Sequence, residues 1–168
     1  MRKICAILLT LIMVMGVSVT TFATESSSVT KKVSAYKTDT YGTENAALSM
    51  ANDAMKGYAT VTTISDGKVQ IDIPVVPLYN TTVMGVFTAD GYLTSVTLNN
   101  GTGSVEEQVS NGEGLPHYSS ATLRIVMDEI PDDGVISVTK SDIYLYKVGT
   151  DDSYWYSHVT PSFDIVLY

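Results

Sequence analysis

The residues most able to do chemistry are gathered in Tyr154-Trp155-Tyr156-Ser157-His158, which holds the only tryptophan, two of eleven tyrosines and one of two histidines. Tyrosine and histidine can both ligate haem iron, and neighbouring aromatic rings can cover a porphyrin face. The same residues on a long loop would also suit recognition of another molecule, since binding groups concentrate on loops held by a rigid scaffold. A packing role is the alternative, with Trp155 lying over a sheet edge and the tyrosines half-buried in strands. Other constellations are weaker. His117 and His158 have no metal-ligand spacing, and the chain lacks a G-x-S-x-G elbow around any serine. Gly101-x-Gly103 and Gly112-x-Gly114 precede neither a helix nor a lysine, so they read as turns rather than phosphate cradles. Asp132-Asp133 and Asp151-Asp152 lack the regularly spaced oxygen ligands of a calcium loop. The sequence therefore points to binding rather than catalysis.

Bulk properties narrow the partners. Arg2 and Lys3, the apolar run Ile4 to Val19 and the small residues before Thr24 read as a signal peptide spanning residues 1–23. The only cysteine, Cys5, falls within it, so a chain starting at Thr24 has no thiol, disulfide or thiolate metal site. Without Arg2 and Lys3, 8 basic residues stand against 18 acidic ones, a net charge of −10. Nucleic acid is then a poor partner, because phosphate binding relies on clustered Lys and Arg. The expectation is a secreted protein that is not membrane-embedded after cleavage. It has a flexible lead-in over 24–32 and one domain over 33–168.

The elements that must position these residues read as short strands. Leu48, Ala51 and Met55 share one face of a predicted helix within 46–55, with Thr43 as N-cap, and Gly57 follows it. Tyr58 to Ile64 and Lys68 to Val75 flank Ser65-Asp66-Gly67, a hairpin turn signal. Val83 to Thr88 and Tyr92 to Leu98 predict a second hairpin turning at Ala89-Asp90-Gly91. Val105 to Val109 reads as a weak edge strand, and Tyr118 to Met127 alternates cleanly. Val135 to Thr139 and Ile143 to Val148 are one bent strand or two, Gly149 to Pro161 is an aromatic loop, and Ser162 to Tyr168 closes the fold. About eight or nine short strands with one helix near the N-terminus predict an all-β antiparallel sandwich.

Leu48-Ser49-Met50-Ala51-Asn52-Asp53-Ala54-Met55, followed by Ala59-Thr60-Val61 and Asp66-Gly67-Lys68-Val69-Gln70-Ile71, resembles the NEAT (near-iron-transporter) domain family, most clearly over residues 46–98. The resemblance implies an immunoglobulin-like β-sandwich from secreted or surface proteins of Gram-positive bacteria. It also implies haem capture between the helix and the last two strands, and transfer of haem in iron acquisition, with haem or another haem-binding protein as partner. Carried onto this chain, Ser49 would bond a propionate, and Met50 and Met55 would line the pocket lip with Tyr154, Tyr156 and Phe163. The family's Y-x-x-x-Y iron motif is missing: Val159 and Phe163 occupy its positions. His158 would then replace the iron ligand, with Tyr156 as substitute. The competing reading is a secreted immunoglobulin-like module that holds a protein or glycan without a cofactor, with Phe163 and Met55 filling the slot.

Overall fold

The computed structural model describes residues 27–83, 87–110, 118–148 and 154–168. Residues 1–23, read as a signal peptide, lie outside the described residues, as do His117 and Asp151-Asp152. The chain is all-β with one short helix: β1 (Ser28–Lys37), α1 (Ala51–Ala54), β2 (Tyr58–Thr63), β3 (Val69–Val75), β4 (Leu78–Val83), β5 (Phe87–Leu98), β6 (Thr102–Ser110), β7 (Tyr118–Met127), β8 (Val135–Val148), β9 (Tyr154–Val159) and β10 (Phe163–Leu167). All strands join one antiparallel sheet, ordered β4-β5-β6-β7-β3-β2-β1-β10-β8-β9. An added pairing of β5 with β8 closes eight of them into a barrel. The two-sheet sandwich read from strand count is thus a closed ring. Strand number and turn spacing do not distinguish these, because closure depends on which distant strands meet.

Alternation sets what faces the interior. Ile71, Ile73 and Val75 on β3 oppose Ile125, Leu123 and Ala121 on β7, and all six are buried. One girdle can be followed through the registers: Val61 opposes Ile71, Ile71 opposes Ile125, Ile125 opposes Gly103, Gly103 opposes Val96, and Val96 opposes Ser141. The intervening residues Gln70, Asp72, Thr122 and Arg124 point outward. There Arg124 donates to Asp72 at 2.8 Å and to Glu106 at 2.5 Å. These carboxylates hold its guanidinium above its usual range, the Asp72 hydrogen bond contributing most.

Several boundaries differ from the sequence reading, each for a physical reason. Residues 28–32, read as a lead-in, belong to β1, because Ser28 to Lys32 pair with Thr62 to Tyr58. The helix is a single turn. Leu48 instead bridges Tyr36 and is 52% exposed. Thr43 does not cap it; the Ala51 N–H donates to Ser49 Oγ at 3.3 Å. Asn52 accepts from the Ala35 N–H through Oδ1 at 3.1 Å and ties the helix to β1. Ala89-Asp90-Gly91 lies inside β5, and Gly91 pairs with Leu78 on one side and Leu145 on the other. β6 is no edge but is paired on both sides. Ser65-Asp66-Gly67 makes the predicted turn, with Asp66 at φ 67° and Gly67 at φ 76°.

β5 and β8 are the longest strands, at 12 and 14 residues, and each serves two neighbours along one side. β5 pairs first with β4 and then with β6; β8 pairs with β10 and then β9. The two forks are filled by side chains. At the β8 fork, buried Ser141 donates through both N–H and Oγ to the Pro161 carbonyl, at 2.9 and 2.7 Å. At the β5 fork, the fully buried Tyr118 hydroxyl donates to the Leu93 carbonyl at 3.1 Å while its ring meets Tyr92 edge-on at 5.5 Å. β4, β5, β8 and β9 thus continue beyond the barrel as a four-stranded extension, and α1 packs against its inner face.

Two outcomes test this packing. A Cβ at Gly103 would meet Val96 Cγ2 at 2.2 Å, so Gly103→Ala should destabilise by about 1–3 kcal/mol in urea unfolding. Val96→Ala should relieve most of that cost, giving a coupling well above additivity. Burial pushes the Tyr118 phenol up to about 12. Its folded value exceeds the ordinary 10, so its contribution is complete below pH 10 and fades as pH rises through 12. Tyr118→Phe should cost about 1–3 kcal/mol at pH 7 and flatten the fall in stability between these limits.

Candidate functional site

The described part of the predicted aromatic loop, from Tyr154 on, is mostly a strand. β9 runs unbroken beside β8, from Tyr154 opposite Val148 to Val159 opposite Ile143. Along β8, Ser141, Ile143 and Leu145 are buried, whereas Asp142, Tyr144 and Tyr146 are half-buried. The register puts His158 opposite Tyr144, on the outward face, and pairs the Tyr156 backbone with that of Tyr146. The side chains of Tyr154, Trp155 and Tyr156 lie outside the described residues.

On that face His158 Nδ1 lies 2.9 Å from Asp142 Oδ1, and its ring meets Tyr144 edge-on at 5.4 Å. A carboxylate only accepts, so Nδ1 carries the proton. Ser95, Thr97, Lys140, Ser141, Asp142, His158 and Thr160 line an open groove of about 360 Å³ here. Ser95 lies directly opposite Asp142 across the β5–β8 seam. The acid therefore sits between serine and histidine. A nucleophilic triad needs histidine in the middle, taking the hydroxyl proton and being oriented by the acid. The arrangement suits hydrogen bonding to a polar ligand better than activation of Ser95.

The remaining predicted site residues lie elsewhere. Met55 is 7% exposed and bridges Val75. With Ala51, Ala54, Val75, Leu78 and Leu93 it lines an apolar niche of about 20 Å³ under α1. Ser49 is half-buried at the helix start, and Met50 is 45% exposed beside it. Phe163 is fully buried in the barrel, opposite Val138, and lines no slot. Helix and histidine face different ways: Ile143 turns inward to the niche while its neighbour Tyr144 turns outward to His158.

A haem group does not fit these residues as placed. Small-molecule pockets run to about 300–1,000 Å³, the niche beneath Ser49 and Met55 holds about 20 Å³, and His158 stands on the opposite face with Asp142 on its Nδ1. Among the described residues, no group of three or more His, Cys, Asp or Glu side chains could hold a metal ion.

Two features escaped the sequence. Tyr36, Tyr41 and Tyr168 gather on the outside of β1 and β10, with ring centroids 5.0 and 6.3 Å apart and the Tyr36 and Tyr168 hydroxyls at 3.0 Å. Partial desolvation, and then the Tyr36 contact, push the Tyr168 phenol up to about 12. The larger groove, about 520 Å³, lies at the far end of β3 around Lys68, Asn100, Thr102 and Asp128. Lys68 there meets Asp128 at 3.6 Å, both well exposed, and no aromatic ring lines it. No local pattern announces either feature, because each joins segments far apart in the chain.

Comparison with known protein families finds no match, and no characterised protein matches the sequence. Among the described residues no helix is long and apolar enough to cross a membrane.

Proposed function

We propose that the chain is a secreted, non-catalytic interaction module that holds a glycan against the outward face of β5, β8 and β9. The observation that carries this reading is the His158–Asp142 pair at 2.9 Å beside the Tyr144 ring, in an open polar groove of about 360 Å³. Sugars need planar hydrogen-bonding groups for their hydroxyls and an aromatic surface for their C–H faces. Tyrosine supplies both in one side chain. Ser95, Thr97 and Thr160 add hydroxyls and Lys140 an ammonium. Secretion rests on the signal-peptide pattern of residues 1–23.

The NEAT resemblance would make this domain immunoglobulin-like and its ligand haem. In its favour stand the Ser49-Met50 opening and the hairpin that follows. Against haem stand the size of the niche, the burial of Phe163 and the outward placement of His158. The cofactor-free form of the reading, with Met55 and Phe163 both in the core, is the better supported.

The test is a glycan array with the chain from Thr24, followed by calorimetry with Asp142→Asn and His158→Ala. Each variant should weaken binding by about tenfold or more, a loss of about 1.4 kcal/mol. Both should keep wild-type unfolding temperatures within a few degrees, because an exposed polar pair contributes only about 0–1 kcal/mol. Haemin titrated alongside should give no saturable Soret change. An array without hits, or binding unaltered in both variants, contradicts the glycan reading; one-equivalent Soret saturation would restore haem.

A further inference from the structure

The four-stranded extension ends in two free edges, β4 and β9, since no other described strand pairs with the outer side of either. The sequence treats them differently. β4 is guarded: Pro77 precedes it, its register slips between Leu78 and Thr81, and Asn80 adopts φ 51° with its N–H given to Asp90 Oδ1 at 2.8 Å. Such a bulged edge is a poor template for another strand. β9 has none of these devices. Its Y-W-Y-S-H-V contains no proline, glycine, lysine, arginine or acid, and its register to β8 is unbroken.

We propose that β9 pairs antiparallel with β9 of a second copy of this chain. Identical strands related by a two-fold axis offer each other the same donors and acceptors, so one edge is complementary to itself. No acid or lysine within β9 would face its own kind across the axis. The product closes. Its sheet runs β4-β5-β8-β9 and then the same four strands in reverse from the second copy, and both new ends are the guarded β4 edges. Association stops at two, which a strand addition from an unrelated peptide would not require. A two-fold axis between antiparallel strands stands perpendicular to the sheet, so the outward faces stay on one side. On the ligand reading given above, the two His158–Asp142 grooves then lie side by side and bind a repeating glycan with avidity.

The first measurement is sedimentation of the ligand-free chain from Thr24 over about 1–300 μM, a range that captures weak, small interfaces. A monomer–dimer equilibrium ending at the dimer is expected. The chain from Thr24 contains no cysteine, so single substitutions report partner contacts cleanly. Oxidation of Tyr154→Cys, Trp155→Cys, Tyr156→Cys and Ser157→Cys should give cross-linking that peaks at one position and falls away on either side, while Thr82→Cys on β4 should not cross-link. Asp142→Asn should weaken glycan binding by about tenfold or more without altering association, which separates this proposal from the ligand reading. A monomer throughout, growth beyond the dimer, or equal cross-linking through β4 would overturn it.

Discussion

Everything in this structure depends on the pairing of β5 with β8, which runs from Asp90 opposite Tyr146 to Leu98 opposite Val138. Each of its backbone hydrogen bonds contributes a net of only about 0.5–1.5 kcal/mol, but the seam does more than add bonds. It turns an open ribbon of strands into a ring, and a ring removes the edges that would otherwise seek partners. It also brings Val96 against Ser141 and Leu93 against Ile143, which fills the interior. Without the seam, the girdle from Val61 to Ser141 would end in exposed aliphatic side chains. Buried Ser141 and Tyr118 matter for the same reason, since each occupies the fork where a long strand changes neighbour.

The seam also decides where binding groups can be. Because alternate residues of β8 face opposite ways, Ile143 and Leu145 belong to the interior while Asp142 and Tyr144 belong to the surface. β9 inherits that division, and His158 follows Tyr144 outward. The helix sits on the inward side, where Met55 and Ala51 close the niche. A ligand gripped by both helix and histidine would have to pass through the sheet. One residue of register would reverse this, since a slip of one moves every side chain to the other face.

Local structure was legible where it is set by neighbours in the sequence. The Asp66-Gly67 turn and the alternation of Val69 to Val75 and of Tyr118 to Met127 follow from turn chemistry and period two, whereas the closing strand is a short apolar run buried throughout. Legibility failed where distant pairing overrides local signals. Ala89-Asp90-Gly91 reads as a turn, yet β4 and β8 flank it and hold it extended. Lys140-Ser141-Asp142 reads as a bend within one strand or a break between two; it lies inside the single strand β8, and the register to β5 slips on either side of it. Leu48 fits a helical face, but its bridge to Tyr36 shortens the helix to one turn. The site was half legible. His158 and its aromatic neighbours stand out by composition, whereas Asp142 lies sixteen residues earlier and nothing local links them.

The most direct test is a set of nuclear Overhauser effects on the isotopically labelled chain from Thr24, read around His158 and across the β5–β8 seam. The account predicts cross-peaks from the His158 ring to Tyr144, and from Leu93 to Ile143 and Leu98 to Val138, with none from His158 to the methyls of Met55 or Ala54. Cross-peaks from His158 to Met55, or loss of the Leu93–Ile143 contact in a folded protein, would contradict it. The first would turn the histidine into the slot beneath the helix; the second would open the barrel into separate sheets.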